Sequence, residues 1–118
     1  MTIYVDGYVL PVPKKNIEAY KEMASLAGKI WMEHGALSFI EYVAEDVKPG
    51  THTSFPQAVK LEEGETVIFS WITYKSREDR DRINAAVMKD PRLKGSPETM
   101  PFDGKRMFWG GFVPIVQL

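Results

Sequence analysis

The chain reads as an α+β domain in the order strand, helix, strand, strand, helix, strand. Three observations predict it. Residues 3–10 alternate with a period of two, and strand-like runs rich in β-branched and aromatic residues recur at 37–45, 66–74 and 105–116. Two amphipathic stretches with helical spacing separate them, one opening at Asn16 and one at Ser76. A length of 118 residues, with 44% hydrophobic and 26% charged composition, suits one compact domain over residues 1–118.

In the first strand Ile3, Val5, Gly7 and Val9 alternate with Tyr4, Asp6, Tyr8 and Leu10, and Pro11 and Pro13 are expected to end it. Asn16 is a plausible N-cap for a helix of about five turns. Its apolar stripe holds Ile17, Tyr20, Ala24, Ala27 and Trp31, and Gly35 stops it by adopting a left-handed conformation. After the second strand, Val47 to Glu65 holds Pro49, Gly50, Pro56 and Gly64, which predicts a long connection with a helical turn near residues 57–59. The part from 47 to 64 is expected to be more mobile than the sheet and is a candidate lid. Ser76-Arg77-Glu78-Asp79 has capping-box spacing and opens a helix that points Ile83, Ala86 and Val87 inward until Asp90-Pro91. Pro97 and Pro101 mark an irregular stretch before the fourth strand. This order is the ferredoxin-like pattern, a four-stranded antiparallel sheet with two helices on one face.

Alternation leaves apolar groups on both faces of that sheet. Under the helices the aliphatic rule puts Ile3, Val5, Val9, Ile68 and Ile72. The open face is expected to carry Tyr4, Asp6, Tyr8, Phe39, Glu41, Val43, Phe69, Trp71, Arg106, Phe108 and Phe112. A face this aromatic exceeds what a monomer leaves in water, so a second copy is the expected cover.

Composition narrows the function classes. Fifteen basic residues against 16 acidic ones give a net charge of −1, with no basic stripe for nucleic acid or anionic lipid. The aromatic run of the last strand superficially resembles that of RNA-recognition motifs, but it lies on the fourth strand instead of the third. No cysteine is present, which removes disulfides, thiolate nucleophiles, iron–sulfur clusters and cysteine-based zinc sites. No secretory signal or membrane-spanning run is expected, and the reading is cytoplasmic. No phosphate loop follows the first strand and no serine sits in a nucleophile elbow. His34 is expected to cap the first helix, and His52 lies in the long loop without companion ligands, so neither a metal nor another cofactor is expected.

Four runs then carry a resemblance. They are Tyr4-Val5-Asp6-Gly7 with Val12 to Asn16, Trp31 to Leu37, Phe69-Ser70-Trp71-Ile72 with Tyr74 to Arg77, and Met100 to Phe112. Together they resemble the YbaA-like family of bacterial proteins. The resemblance implies the dimeric α/β-barrel superfamily, in which two ferredoxin-like protomers join open faces around a central barrel. It implies a ligand cavity and no established reaction.

Asp6 lies mid-strand, where a carboxylate must be paired or poised. Either it forms a structural ion pair, with Arg106 as the expected partner, or it serves a ligand. Glu41 carries the same ambiguity, and Arg106, if it faces a cavity, suits a carboxylate-bearing ligand. The expected function is binding or transformation of a small organic molecule in the barrel, lined by Asp6, Tyr8, Glu41, Trp71 and Arg106. The alternative is a non-catalytic dimeric module with a packed barrel.

Overall fold

The computed structural model describes residues 3–93 and 100–118. β1 runs Tyr4–Pro13, α1 Ile17–Glu33, β2 Ser38–Val43, α2 Phe55–Ala58, β3 Glu65–Tyr74, α3 Arg77–Met88 and β4 Phe108–Phe112. Short 3-10 turns at Lys14–Asn16 and Gly104–Arg106 precede α1 and β4. The four strands form one antiparallel sheet in the order β2-β3-β1-β4, so the ferredoxin-like order of strands and helices expected from the sequence is present.

Several boundaries move for physical reasons. β1 continues through Pro11 and Pro13 because neither proline is asked for a hydrogen bond there. The Ala44 amide donates to the Val67 carbonyl, so Val67 spends its backbone groups on β2, and Pro11 lies opposite Val67. On the other side β4 pairs only with Val5 to Val9. A proline is tolerated where no ladder bond is due. Asn16 precedes α1, but its side chain donates to the Pro101 carbonyl instead of capping the helix. Gly35 does adopt positive φ, at 118°. Ser76 caps α3 by accepting from the Asp79 amide. The helical turn in the long connection is α2, capped by Ser54. β4 is shorter than the expected 105–116, starting after the 3-10 turn that holds Arg106. Pro97 lies outside the described residues.

The register shows which side chains share a face. Asp6 pairs with Ile72, Tyr8 with Ser70, Phe39 with Ile72 and Glu41 with Ser70. Tyr4, Ile72 and Tyr74 pack with Ile30 of α1 and with Ile83 and Val87 of α3, and Leu10, Val12 and Ile68 pack with Tyr20 and Ala24. Tyr4, Asp6, Tyr8, Phe39, Glu41 and Val43 therefore share the helix face, and the expected orientation of β1 and β2 is corrected. Val5 and Val9 take the open face, with Val9 buried against Val59 and Val67 where the connection around α2 crosses it. Ile68 and Ile72 lie under the helices, while Phe69, Trp71, Phe108 and Phe112 lie on the open face, as expected. No described helix is long and apolar enough to cross a membrane.

Candidate functional site

The site grows from the inward stripe of α1 laid over β2, β3 and β1. Tyr8, Tyr20, Trp31, Phe39, Glu41 and Ser70 contribute to the walls of a cavity of about 520 Å³ between helix and sheet. Met23, Met88, Met100 and Met107 complete much of the lining, and their flexible thioethers suit an irregular space. A second space of about 770 Å³ opens along the α1 and β2 edge. Tyr20, Ala24, Phe39 and Glu41 border both, so this group forms the wall between an outer groove and an inner cavity. Gly28 keeps α1 close to β2 here, because a Cβ at that position would lie 2.7 Å from the Phe39 ring.

Glu41 is the carboxylate of this space. Tyr20 donates its hydroxyl hydrogen to Glu41 Oε1 at 2.7 Å. Burial holds the Glu41 carboxyl above the usual carboxylate range, opposed by the hydrogen bonds from Tyr20 and Ser70. Burial likewise pushes the phenols of Tyr20 and Tyr8 up, so both remain neutral donors at physiological pH. A cavity with one half-buried carboxyl, neutral hydroxyls and an apolar remainder can hold and orient a mostly apolar molecule by a few polar contacts.

Beside it lies a more tightly closed polar layer. Asp6 is fully buried, and Arg80 of α3 places Nε 3.2 Å from Asp6 Oδ1. The contact is an ion pair, and neither Asp6 oxygen meets a well-aligned hydrogen bond from a described residue. Desolvation raises the Asp6 pKa, and the Arg80 charge works against it. Arg80 also donates through Nη2 to the Tyr4 hydroxyl at 2.8 Å, and its guanidinium lies 4.9 Å from the Tyr4 ring centroid. Asn84 Oδ1 accepts from Trp31 Nε1 at 3.0 Å and from the Tyr74 hydroxyl at 3.2 Å. Gly111 on β4 makes room for this packing, since a Cβ there would collide with Tyr4 Oη and Arg80 Nη2.

The family of proteins described as "Protein of unknown function (DUF1428)" matches residues 3–104. The chain belongs to the DUF1428 family. It is 52% identical over 113 residues to "Uncharacterized protein YbaA" of Escherichia coli K12, covering 96% of this chain and 97% of that protein. The relative of that name in Shigella flexneri matches at the same 52% and the same coverage. Among solved structures, a dimeric ferredoxin-like protein from an uncultured marine organism aligns with a TM-score of 0.58 at 11% identity over 100% of both chains. Rv0793 from Mycobacterium tuberculosis aligns with a TM-score of 0.51 at 13% identity over 99% of this chain and 98% of its own. These two likenesses establish the fold.

In this DUF1428 chain the five expected site residues do not form one lining. Tyr8 and Glu41 border the inner cavity, and Asp6 lies in the adjoining layer on the same face. Trp71 is on the opposite face, 5.6 Å from Phe69 and 5.1 Å from Tyr42 between ring centroids. Arg106 is remote from Asp6. It sits before β4 and grips Glu65 through both terminal nitrogens at 2.7 Å, which holds the Glu65 carboxyl below its ordinary value. The Asp6 partner is Arg80, and the pairing with Arg106 is corrected. His34 does end α1, and it bonds Asp90 Oδ2 at 3.0 Å.

Sequence reasoning missed Arg80, Asn84 and the Tyr20 hydroxyl. A signal was present for the first two. Arg80, Ile83, Asn84 and Val87 fall at helical spacing on one face of α3, the face that carries its buried residues.

Proposed function

We propose that the protein binds a small, mostly apolar organic molecule in the inner cavity between α1 and the sheet, as a homodimer joined through the open faces. The observation that carries the first part is Glu41, a half-buried carboxyl in an otherwise apolar space, oriented by the Tyr20 hydroxyl. The cavity belongs to a single protomer, on the face opposite the one where a barrel would close. The homodimer is supported by the exposed aromatics Tyr42, Phe69, Phe108 and Phe112 and by the apolar residues Val113, Ile115, Val116 and Leu118 after β4. It is supported also by the likeness to a protein described as dimeric.

Native mass spectrometry of protein taken directly from cells tests both parts. The expected result is a dimer that carries a small-molecule mass, with that mass lost from Ala24→Phe, which fills the wall between groove and cavity. A dimer that retains nothing, and shows no binding of neutral apolar alcohols such as 2-phenylethanol, would leave a non-catalytic dimeric module as the correct reading.

A further inference from the structure

We propose that the molecule held in the inner cavity is an organic cation, an ammonium on an apolar body, with Glu41 as its counter-charge. The inference rests on the cavity reading above and adds the ligand's chemical class.

The other closely held carboxylates of the described chain have a cation of their own. Asp6 faces Arg80, Glu65 is gripped by Arg106, and Asp90 is held by Arg92. Glu41 has none among the described residues, and its near partners are the neutral hydroxyls of Tyr20 and Ser70. No described lysine, arginine or histidine lines the inner cavity. Lys21 and Lys29 of α1 border only the outer groove; neither forms an ion pair with Glu41, and Lys21 lies 3.7 Å from Glu18 instead. A carboxylate withdrawn from water without a counter-ion is costly, and a bound ammonium would remove that cost.

The remaining walls favour the same chemistry. Tyr8, Trp31, Phe39 and Phe102 offer aromatic surface, whose negative faces attract cations, and the methionine sulfurs are polarizable. An anionic ligand would meet Glu41 with like charge, and a neutral one would leave the carboxylate unmatched. Tyr20 then acts as a positioning residue. Its hydrogen bond to Oε1, with that of Ser70 to the same carboxyl, fixes Glu41 at the border that groove and cavity share, where an ammonium would meet it.

Calorimetric titration of the full chain with 2-phenylethylamine, its neutral counterpart 2-phenylethanol and the anion 3-phenylpropionate tests the class directly. The amine should bind roughly tenfold or more tighter than the alcohol, and the anion weakest, since a charged hydrogen bond inside a protein is worth about that factor. Glu41→Gln should bring amine and alcohol to similar affinity. Tyr20→Phe, which keeps the carboxylate but releases Oε1, should narrow the amine preference without abolishing it, and Glu41→Ala serves if Glu41→Gln does not fold. Equal binding of amine and alcohol by the wild type, or a preference that survives Glu41→Gln, would overturn the cation while leaving the cavity reading intact. Failure of amine and alcohol alike would overturn both.

Discussion

The two faces of the sheet are apolar in composition and differ in how they treat polar groups. Under the helices, Asp6, Glu41, Ser70 and three tyrosines, Tyr4, Tyr8 and Tyr74, are packed among aliphatic side chains, and α1 and α3 bring groups that receive Glu41 and Tyr4. On the open face, Tyr42, Phe69 and Trp71 pack ring against ring, with no ion pair within the cluster. The helix face can therefore recognise a molecule by charge and hydrogen bonds, whereas the open face can offer mainly area and shape. A pocket is built where polar groups are fixed inside an apolar frame, and a self-association surface needs no such groups.

The contrast should fail first, if it is wrong, at Arg80. Arg80→Ala strands the Asp6 carboxylate at full burial and should lower stability by about 3–5 kcal/mol. Urea denaturation followed by circular dichroism would register it, and Asp6→Asn added to Arg80→Ala should recover part of the loss. A loss under about 1 kcal/mol would mean that the polar layer does not hold the helix face together.

On the open face, Phe69→Asp puts a charge into the aromatic cluster without touching the cavity. It should raise the dimer dissociation constant by roughly 100-fold by sedimentation analysis, with 2-phenylethanol binding unchanged. Binding lost together with the dimer would place the ligand between protomers instead.

A smaller effect is expected at Arg106, which ties the segment before β4 to the start of β3 through Glu65. Arg106→Ala should cost about 1–2 kcal/mol and raise amide exchange at Met107 and Phe108 without altering amine preference.

The smallest change is a gain. Burial raises the Glu41 pKa above its ordinary 4.5, so the folded state holds this proton more tightly than the unfolded chain does. Wild-type stability from this group is therefore greatest at low pH and falls as pH rises through the folded value. Glu41→Gln should be more stable than wild type at pH 7 by roughly 0.5–1 kcal/mol. That advantage should shrink as pH falls through the folded pKa of Glu41 toward the unfolded value, and a constant advantage across the range would contradict a Glu41 whose proton the folded state holds more tightly.

The element order and the open-face placing of Phe69, Trp71, Phe108 and Phe112 were legible from the sequence. Gly35 and Ser76 behaved as their chemistry requires. The faces of β1 and β2 were not legible. Alternation separates Val5 and Val9 from Tyr4, Asp6 and Tyr8 but does not say which set the helices cover. The aliphatic rule fails here because Arg80 and Asn84 supply partners to Tyr4 and Tyr74 from above, while Val59 covers Val9 from below. Asp6 was read as a carboxylate that must be paired or poised, with Arg106 as the partner in the paired case; the structure sets Arg80 beside it. Its partner was misplaced because Arg106 was assigned to a strand, and Asp103 and Glu65 bind it in a turn instead. Glu41 was recognised as a candidate, and its neighbour Tyr20 was seen only as an apolar helix residue.

The central claim is that the ligand lies on the helix face of the sheet and not in a barrel between protomers. Trp31 borders the inner cavity and Trp71 lies on the open face, so two single-tryptophan variants separate the possibilities. One keeps Trp31 through Trp71→Phe with Trp109→Phe, and the other keeps Trp71 through Trp31→Phe with Trp109→Phe. Titration with 2-(4-bromophenyl)ethanol, whose bromine quenches a tryptophan it touches, should give saturable quenching of Trp31 and leave Trp71 unaffected. Saturable quenching of Trp71 with Trp31 unchanged would contradict the account and return the ligand to the space between the open faces.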